Sequence, residues 1–121
     1  MVFRYINTEY LDSISNGDDK LIEELVDMFA SQVTEIHREM IALNASGNFR
    51  NLGLLAHKAK SSVAIMGMAE MAALLKTFEL QAKEGTGQEN YSDYIEKFRA
   101  DSNEAVLELR HLVETRQGNK L

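Results

Sequence analysis

The apolar residues of this chain recur at intervals of three and four, the spacing of one face of an α-helix. The longest such row consists of Leu21, Ile22, Leu25, Val26, Phe29, Val33, Ile36, Met40 and Leu43. No segment alternates between apolar and polar residues over the length of a strand. The pattern therefore predicts an all-α domain.

Cap and stop residues divide this pattern into one short helix and four longer ones. Asn7 or Thr8 caps the first, which carries Leu11 and Ile14 on one face and stops at the Asn-Gly-Asp sequence of residues 16–18. The longer helices are expected to begin at Asp18 or Asp19, Phe49, Ala69 and Tyr91, and to end near Leu43, Met66, Lys83 and Thr115. Because short loops join them, we expect an antiparallel four-helix bundle with a short extra N-terminal helix. The polar tail at 116–121 is expected to fray.

Composition narrows the class of protein further. The length of 121 residues fits one domain, and 45% hydrophobic with 26% charged residues is typical of a soluble protein. No cysteine is present, which excludes disulfides and thiolate metal sites. A net charge of −6 without a basic run argues against nucleic-acid binding. Since no apolar stretch suits a signal peptide or membrane span, we expect a cytoplasmic protein, independent because it begins with Met1 and ends in a polar tail.

The third helical segment carries the most informative residue, His57. On a helical wheel of about 100° per residue, the buried stripe of that segment consists of Leu52, Ala56, Ala59 and Val63. His57 lies about 130° from the centre of this stripe. We therefore expect the imidazole to face solvent or a partner.

The residues around His57 on the same helix are unusually small. Gly53, Ser61 and Ala64 occupy three of its four neighbouring positions, and Lys60 occupies the fourth. Such a ring leaves the imidazole open to close approach by another protein. The cation of Lys60 is what a phosphoryl group on the imidazole needs nearby.

This arrangement suits phosphoryl transfer through a histidine. A neutral imidazole, with a reference pKa of about 6.5, is nucleophilic without a separate strong base. Phosphoryl transfer needs positioning and charge neutralisation above all. One histidine with one lysine therefore suffices for a carrier, but not for a self-contained kinase. The alternative is that His57 is simply a solvated surface residue.

The residues His57 to Gly67, HKAKSSVAIMG, resemble the central motif of histidine-containing phosphotransfer (HPt) domains. That motif reads His, two residues, Lys, a small residue, usually another small residue, and Gly ten positions after the His. The resemblance extends over roughly residues 10 to 110. It includes the segments 21–29, 44–55 and 74–84, the last with Phe78-Glu79 where the family often has Leu-Glu.

The resemblance implies that His57 is the phosphoacceptor and that Lys60 stabilises the phosphoryl group. Ser61 stands where the family most often has Gly, and Ala59 where a larger apolar residue is common. Lys58 is either a contact for the phosphate or a partner, or a solvated lysine. We expect a docking surface on the exposed side of the third helix and the adjacent face of the second, with these positions taking part: Gly53, Lys58, Ser61 and Ala64.

The leading hypothesis is a monomeric phosphocarrier in a multistep phosphorelay of two-component signalling. It would exchange a phosphoryl group with aspartates of response-regulator receiver domains and serve hybrid histidine kinases. The resemblance implies that the divalent metal and most of the catalytic apparatus belong to the receiver, so no cofactor is expected. Three alternatives stay open: a receiver-binding module without phosphotransfer, an HPt domain derived from a larger histidine kinase, and an unrelated helical bundle with a buried His57.

The remaining candidate features are interpreted as structural. His37 and His111 are expected to be solvated surface residues, and no two histidines have the i, i+4 spacing of a helical metal site. The Gly85-x-Gly87 sequence lacks the lysine and strand of a phosphate-binding loop and predicts a turn. Three methionines are expected to fill the core: Met66, Met68 and Met71.

Overall fold

The computed structural model describes residues 3–16 and 18–118, and within these ranges it contains helices and no strand. The order is α1 (Thr8–Ser15), α2 (Asp19–Ala45), α3 (Phe49–Ile65), α4 (Ala69–Glu84) and α5 (Tyr91–Gly118). A single 3-10 turn, Gln88–Asn90, precedes α5 and was not predicted. The all-α class is confirmed.

The first two helices begin at the cap residues that the sequence predicts. The side chain of Asn7 accepts a hydrogen bond from the backbone N–H of Tyr10 at 3.0 Å. Asp18 accepts from the N–H groups of Lys20 and Leu21 at 3.0 and 3.2 Å. These carboxamide and carboxylate oxygens satisfy N–H groups that have no partner within the helix. The side chain of Ile14 and all of Gly17 lie outside the described residues.

The helix ends agree with the sequence to within two residues, except for α5. This last helix continues through Gly118 instead of ending at Thr115, because no glycine or proline intervenes. The helix thus runs into the tail that was expected to fray, and residues 119–121 lie outside the described part.

The four long helices surround a common core. α3 packs along α4 and α2 along α5, and further contacts join α2 to α3 and α4 to α5. Large side chains from all four helices are fully buried, among them Phe29, Leu52, Phe78 and Phe98. The three methionines at the junction of α3 and α4 are buried as well, which confirms their predicted role as core residues.

The segment before α1 is fastened to two parts of this bundle. The carboxylate of Glu108 on α5 accepts hydrogen bonds from the backbone N–H groups of Arg4 and Tyr5, both at 2.9 Å. Ile6 is buried. At the turn after α3, Gly67 has a φ of +75°, and a Cβ there would lie only 2.9 Å from the Cβ of Asn7. Glycine at this position therefore permits both the left-handed turn and the close approach of Asn7.

Candidate functional site

α3 places His57 on the surface because the opposite face of the helix is buried. The four residues of the predicted stripe have no exposed surface: Leu52, Ala56, Ala59 and Val63. The side chain of His57 is 56% exposed. The orientation that the helical wheel predicts is therefore the orientation observed.

The imidazole of His57 makes one polar contact with a neighbouring helix. Its Nδ1 lies 3.0 Å from Oε1 of Glu79, which projects from α4. Glu79 is a buried residue, only 7% exposed, next to the fully buried Phe78. One ring nitrogen of an exposed imidazole is thus in hydrogen-bond contact with a carboxylate at the edge of the core.

Two lysines share the same carboxylate. Nζ of Lys83, one turn further along α4, lies 2.7 Å from Oε2, and Nζ of Lys60 on α3 lies 3.5 Å from Oε1. The hydrogen bond from Lys83 is the main reason that the pKa of Glu79 is lowered from 4.5 to about 2. Burial opposes this shift, and the contact with His57 adds to it. Glu79 is therefore ionised at neutral pH.

The ionised carboxylate determines which imidazole nitrogen carries the proton. A carboxylate only accepts hydrogen bonds, so Nδ1 of His57 must be the N–H donor in this contact. In the neutral imidazole the lone pair then lies on Nε2. Because the side chain is largely exposed, Nε2 is the nitrogen left for a reaction with an incoming group.

Gly53, which was expected in an open ring of docking positions around His57, is not part of such a ring. It is buried against α4, where an added Cβ would lie 2.8 Å from Cγ of Lys83 and 3.1 Å from the carbonyl oxygen of Glu79. The absence of a side chain lets α3 and α4 approach closely. Gly53 thereby sets the distance between the helices that carry His57 and Glu79.

The other predicted docking positions do lie on the surface of α3. Lys58, Ser61 and Ala64 are exposed, and Lys60 is half-buried beside Glu79. The hydroxyl of Ser61 donates to the carbonyl oxygen of His57 at 3.3 Å, so this side chain turns back onto its own helix. The small side chains of Ser61 and Ala64 therefore leave the imidazole accessible along the part of α3 that follows His57.

Sequence reasoning did not identify Glu79 and Lys83 as site residues, although Phe78-Glu79 was part of the resemblance. A signal was present in the apolar pattern of α4. Glu79 follows Leu75 and Phe78 and precedes Ala82, all of which are buried, so it is a carboxylate among core positions. A buried carboxylate needs a charged partner, and Lys83 lies at the i+4 position that supplies one.

The other two histidines take no part in this site. His111 is exposed, with its ring centroid 6.4 Å from that of Phe3. His37 is half-buried and lines a shallow groove between α2 and α5. Among the described residues, no group of three His, Cys, Asp or Glu side chains is arranged to hold a metal ion.

None of the helices in the described part of the chain is both long and apolar enough to cross a membrane.

No curated protein sequence and no solved structure matches this chain significantly. The family model of the Hpt domain matches residues 24–115, a range that contains His57, Lys60, Glu79 and Lys83. Because this match covers well over half of the 121 residues, the chain belongs to the Hpt domain family.

Proposed function

We propose that His57 is the phosphoacceptor of a histidine phosphocarrier, which receives and returns a phosphoryl group in a multistep phosphorelay. The family match supports histidine phosphotransfer in general terms. One observation on this chain carries the proposal: Nδ1 of His57 is hydrogen-bonded to Glu79, while the side chain as a whole stays 56% exposed.

The proposed step takes place at Nε2. Its lone pair attacks the phosphorus of an aspartyl phosphate on a receiver domain, and a P–N bond forms as the P–O bond breaks. The aspartate leaves as a carboxylate. The imidazole, now substituted at Nε2 and protonated at Nδ1, carries a positive charge that Glu79 balances at 3.0 Å. Transfer to a second receiver reverses these bond changes.

Lys60 and Lys83 supply positive charge beside the transferred group. In the unphosphorylated protein both ammonium groups contact Glu79. Lys60 lies one turn from His57 on the same helix, so its flexible side chain reaches a phosphoryl oxygen by a change of rotamer. We assign phosphoryl stabilisation to Lys60. Lys83 keeps Glu79 ionised, since its hydrogen bond is the main cause of the lowered pKa.

The proposed docking surface is the exposed face of α3 around His57, formed by Leu54, Lys58, Ser61, Ala64 and Ile65. Leu54 and Ile65 are exposed large apolar residues on either side of His57. α3 carries three cations and no carboxylate in a chain with net charge −6, which complements a partner that presents an aspartyl phosphate. Such a surface, apolar with basic groups, suits a transient protein partner.

The partners, location and oligomeric state that we propose follow from the same assignment of His57 as a phosphocarrier. Its partners are response-regulator receiver domains and hybrid histidine kinases, and it acts as a cytoplasmic monomer that carries phosphoryl groups without kinase activity of its own. The contacts among α2, α3, α4 and α5 support the arrangement we propose for the fold, an antiparallel four-helix bundle preceded by a short helix.

The test is phosphotransfer from a radiolabelled, phosphorylated receiver domain to the wild type and to His57→Gln. We expect label on the wild type that is acid-labile and base-stable, as a phosphohistidine is, and none on the variant. If receivers bind the chain but none labels it, the chain is a docking module and not a phosphocarrier. If receivers neither bind nor label it, the proposal is wrong.

A further inference from the structure

A shallow apolar depression of about 290 Å³ lies at one end of the face that carries His57. Six residues line it: Asn7, Tyr10, Ala64, Gly67, Ala69 and Ala72. Three of these are alanines from α3 and α4, and Tyr10 forms a wall contributed by α1. Tyr10 is 41% exposed, more than any other Phe or Tyr in the part of the chain that the structure describes.

The backbone that carries this wall is fastened to the rest of the fold. The N–H group of Tyr10 donates to the cap residue Asn7, and Asn7 packs against Gly67 at the turn between α3 and α4. Upstream, the two backbone hydrogen bonds to Glu108 fasten the chain to α5. These contacts fix the position of the backbone that carries Tyr10 relative to α3, α4 and α5.

The depression lies within reach of any protein that docks on His57. Ala64 follows His57 by seven residues, which places it on the same side of α3 at a distance of about 10 Å along the axis. A protein partner typically covers about 800 Å², a patch that extends roughly 16 Å from its centre. A partner centred on His57 thus covers the depression as well.

We propose that this depression is a specificity subsite that receives a large apolar side chain of the receiver domain docked on His57. The proposal rests on the proposed function. Opposite charges bring the aspartyl phosphate to the imidazole beside Lys58 and Lys60, and this fixes the position of the partner on α3. An apolar side chain at the right distance then fills the space between Tyr10 and the three alanines.

One wall of the subsite lies outside the part of the chain that the family model matches. The family match begins at residue 24, inside α2, so α1, with Tyr10 and its cap, precedes the matched range. The histidine and its neighbours on α3 lie within the matched range, whereas Tyr10 on α1 lies outside it. We therefore expect the choice of partner to depend on Tyr10. The phosphorylation of His57 itself is not expected to depend on Tyr10.

The test separates docking from chemistry. His57 is first labelled with phosphoramidate, a small phosphodonor that needs no docking surface. The receiver domain of the same organism that accepts this label fastest is then chosen, and its transfer rate is measured over a range of receiver concentrations, which gives the dissociation constant for docking. Tyr10→Ala removes the wall, and Ala69→Gln fills the depression from an exposed position on α4. Leu107→Ala is the matched control, since it truncates a residue that is 62% exposed on α5.

We expect both subsite variants to raise the dissociation constant for the receiver about tenfold, which corresponds to ~1.4 kcal/mol, and to be labelled by phosphoramidate at the wild-type rate. The control should bind within about twofold of the wild type. If both subsite variants bind like the control, the subsite is wrong while the carrier stands. If no receiver accepts label from the wild type, both proposals fail. A dimer of the wild type that Tyr10→Ala dissociates would assign the depression to a second copy and overturn the subsite.

Discussion

Nδ1 of His57 and Oε1 of Glu79 lie 3.0 Å apart, although one side chain is largely exposed and the other is buried. The two residues come from different helices, and the buried Gly53 allows those helices to approach closely. This single contact fixes the orientation and the tautomer of the imidazole. It therefore connects the packing of α3 against α4 to the reactivity of Nε2.

The first prediction concerns the proton on the imidazole. In the wild type at neutral pH, the neutral form of His57 should carry its proton on Nδ1, because ionised Glu79 accepts it. Glu79→Ala removes this acceptor, so the neutral ring should shift towards the Nε2–H tautomer, in which Nε2 has no free lone pair. Nitrogen-15 NMR of labelled histidine distinguishes the two forms. Labelling by phosphoramidate should slow about tenfold, in the lower part of the range for a lost positioning contact.

His111 provides an internal reference in the same spectra, because it makes no contact with Glu79. Its nitrogen shifts should be equal in the wild type and in Glu79→Ala. An unchanged tautomer of His57 in the variant would show that Glu79 does not control the proton, and the argument for Nε2 would lose its basis.

The second prediction concerns acid stability. The pKa of Glu79 is lowered to about 2 in the folded chain from an ordinary 4.5. Its ionised form therefore stabilises the fold at pH values above 4.5, and this contribution is lost as the pH falls from 4.5 towards 2. At neutral pH it amounts to at most about 3 kcal/mol.

Chemical denaturation of the wild type and Glu79→Gln from pH 7 to pH 2 checks this sign. The difference in free energy of unfolding between the two proteins should be greatest near neutral pH and shrink as the solution is acidified below about 4.5. A difference that stays constant over this range would contradict a strongly lowered pKa. Glu104→Gln, at an exposed position on α5, is the matched control for loss of one carboxylate.

Much of this architecture was predictable from local patterns. Helix starts follow from short polar side chains such as Asn7 and Asp18, whose hydrogen bonds involve only residues two or three positions away. The exposure of His57 follows from the helical period, because four residues of α3 define the buried face. These features depend on spacing within one helix, which the sequence displays directly.

The part that was missed depends on contacts between helices. Glu79 is 22 residues from His57, and nothing within α3 indicates which residue of α4 lies opposite. The burial of Gly53 was not predicted for the same reason: a missing side chain suits an open surface as well as a close helix contact, and only the position of α4 decides between them. Pairing across helices is set by the packing of the whole core.

The third prediction concerns Lys60 as the cation for the phosphoryl group. Lys60→Ala should slow transfer from a phosphorylated receiver to His57 about tenfold, because one charge-assisted hydrogen bond to the phosphoryl oxygens is lost. Lys60→Arg should retain most of the rate, since the charge stays in place. Quenched-flow measurement of transfer gives both values.

The matched control for this charge is Lys97→Ala. Lys97 forms an ion pair with Asp101 at 3.0 Å on α5, so its removal changes the net charge equally without affecting the helix that carries His57. If Lys60→Ala and Lys97→Ala transfer at equal rates, the loss of rate comes from the change in net charge alone. Lys60 is then not a residue of the site.

The last prediction concerns Gly53 as the spacer between α3 and α4. In an isolated helix, Gly53→Ala would be favourable by about 1 kcal/mol. Here the new Cβ would lie 2.8 Å from Cγ of Lys83, 3.1 Å from the carbonyl oxygen of Glu79 and 3.2 Å from the backbone N of Lys83. The side chain of Lys83 can move aside, but the backbone of α4 must shift. We expect a net loss of about 1–2 kcal/mol in the free energy of unfolding.

Ser61→Ala is the control, because it introduces alanine at an exposed position of the same helix and should stabilise the protein slightly. Gly53→Ala should also lengthen the contact between His57 and Glu79, so nitrogen-15 NMR should show less of the Nδ1–H tautomer while His57 remains exposed. A variant that is more stable than the wild type and keeps the tautomer would mean that Gly53 does not set the helix spacing. The distance between α3 and α4, and with it the reactivity of Nε2, is thus expected to respond to one added methyl group.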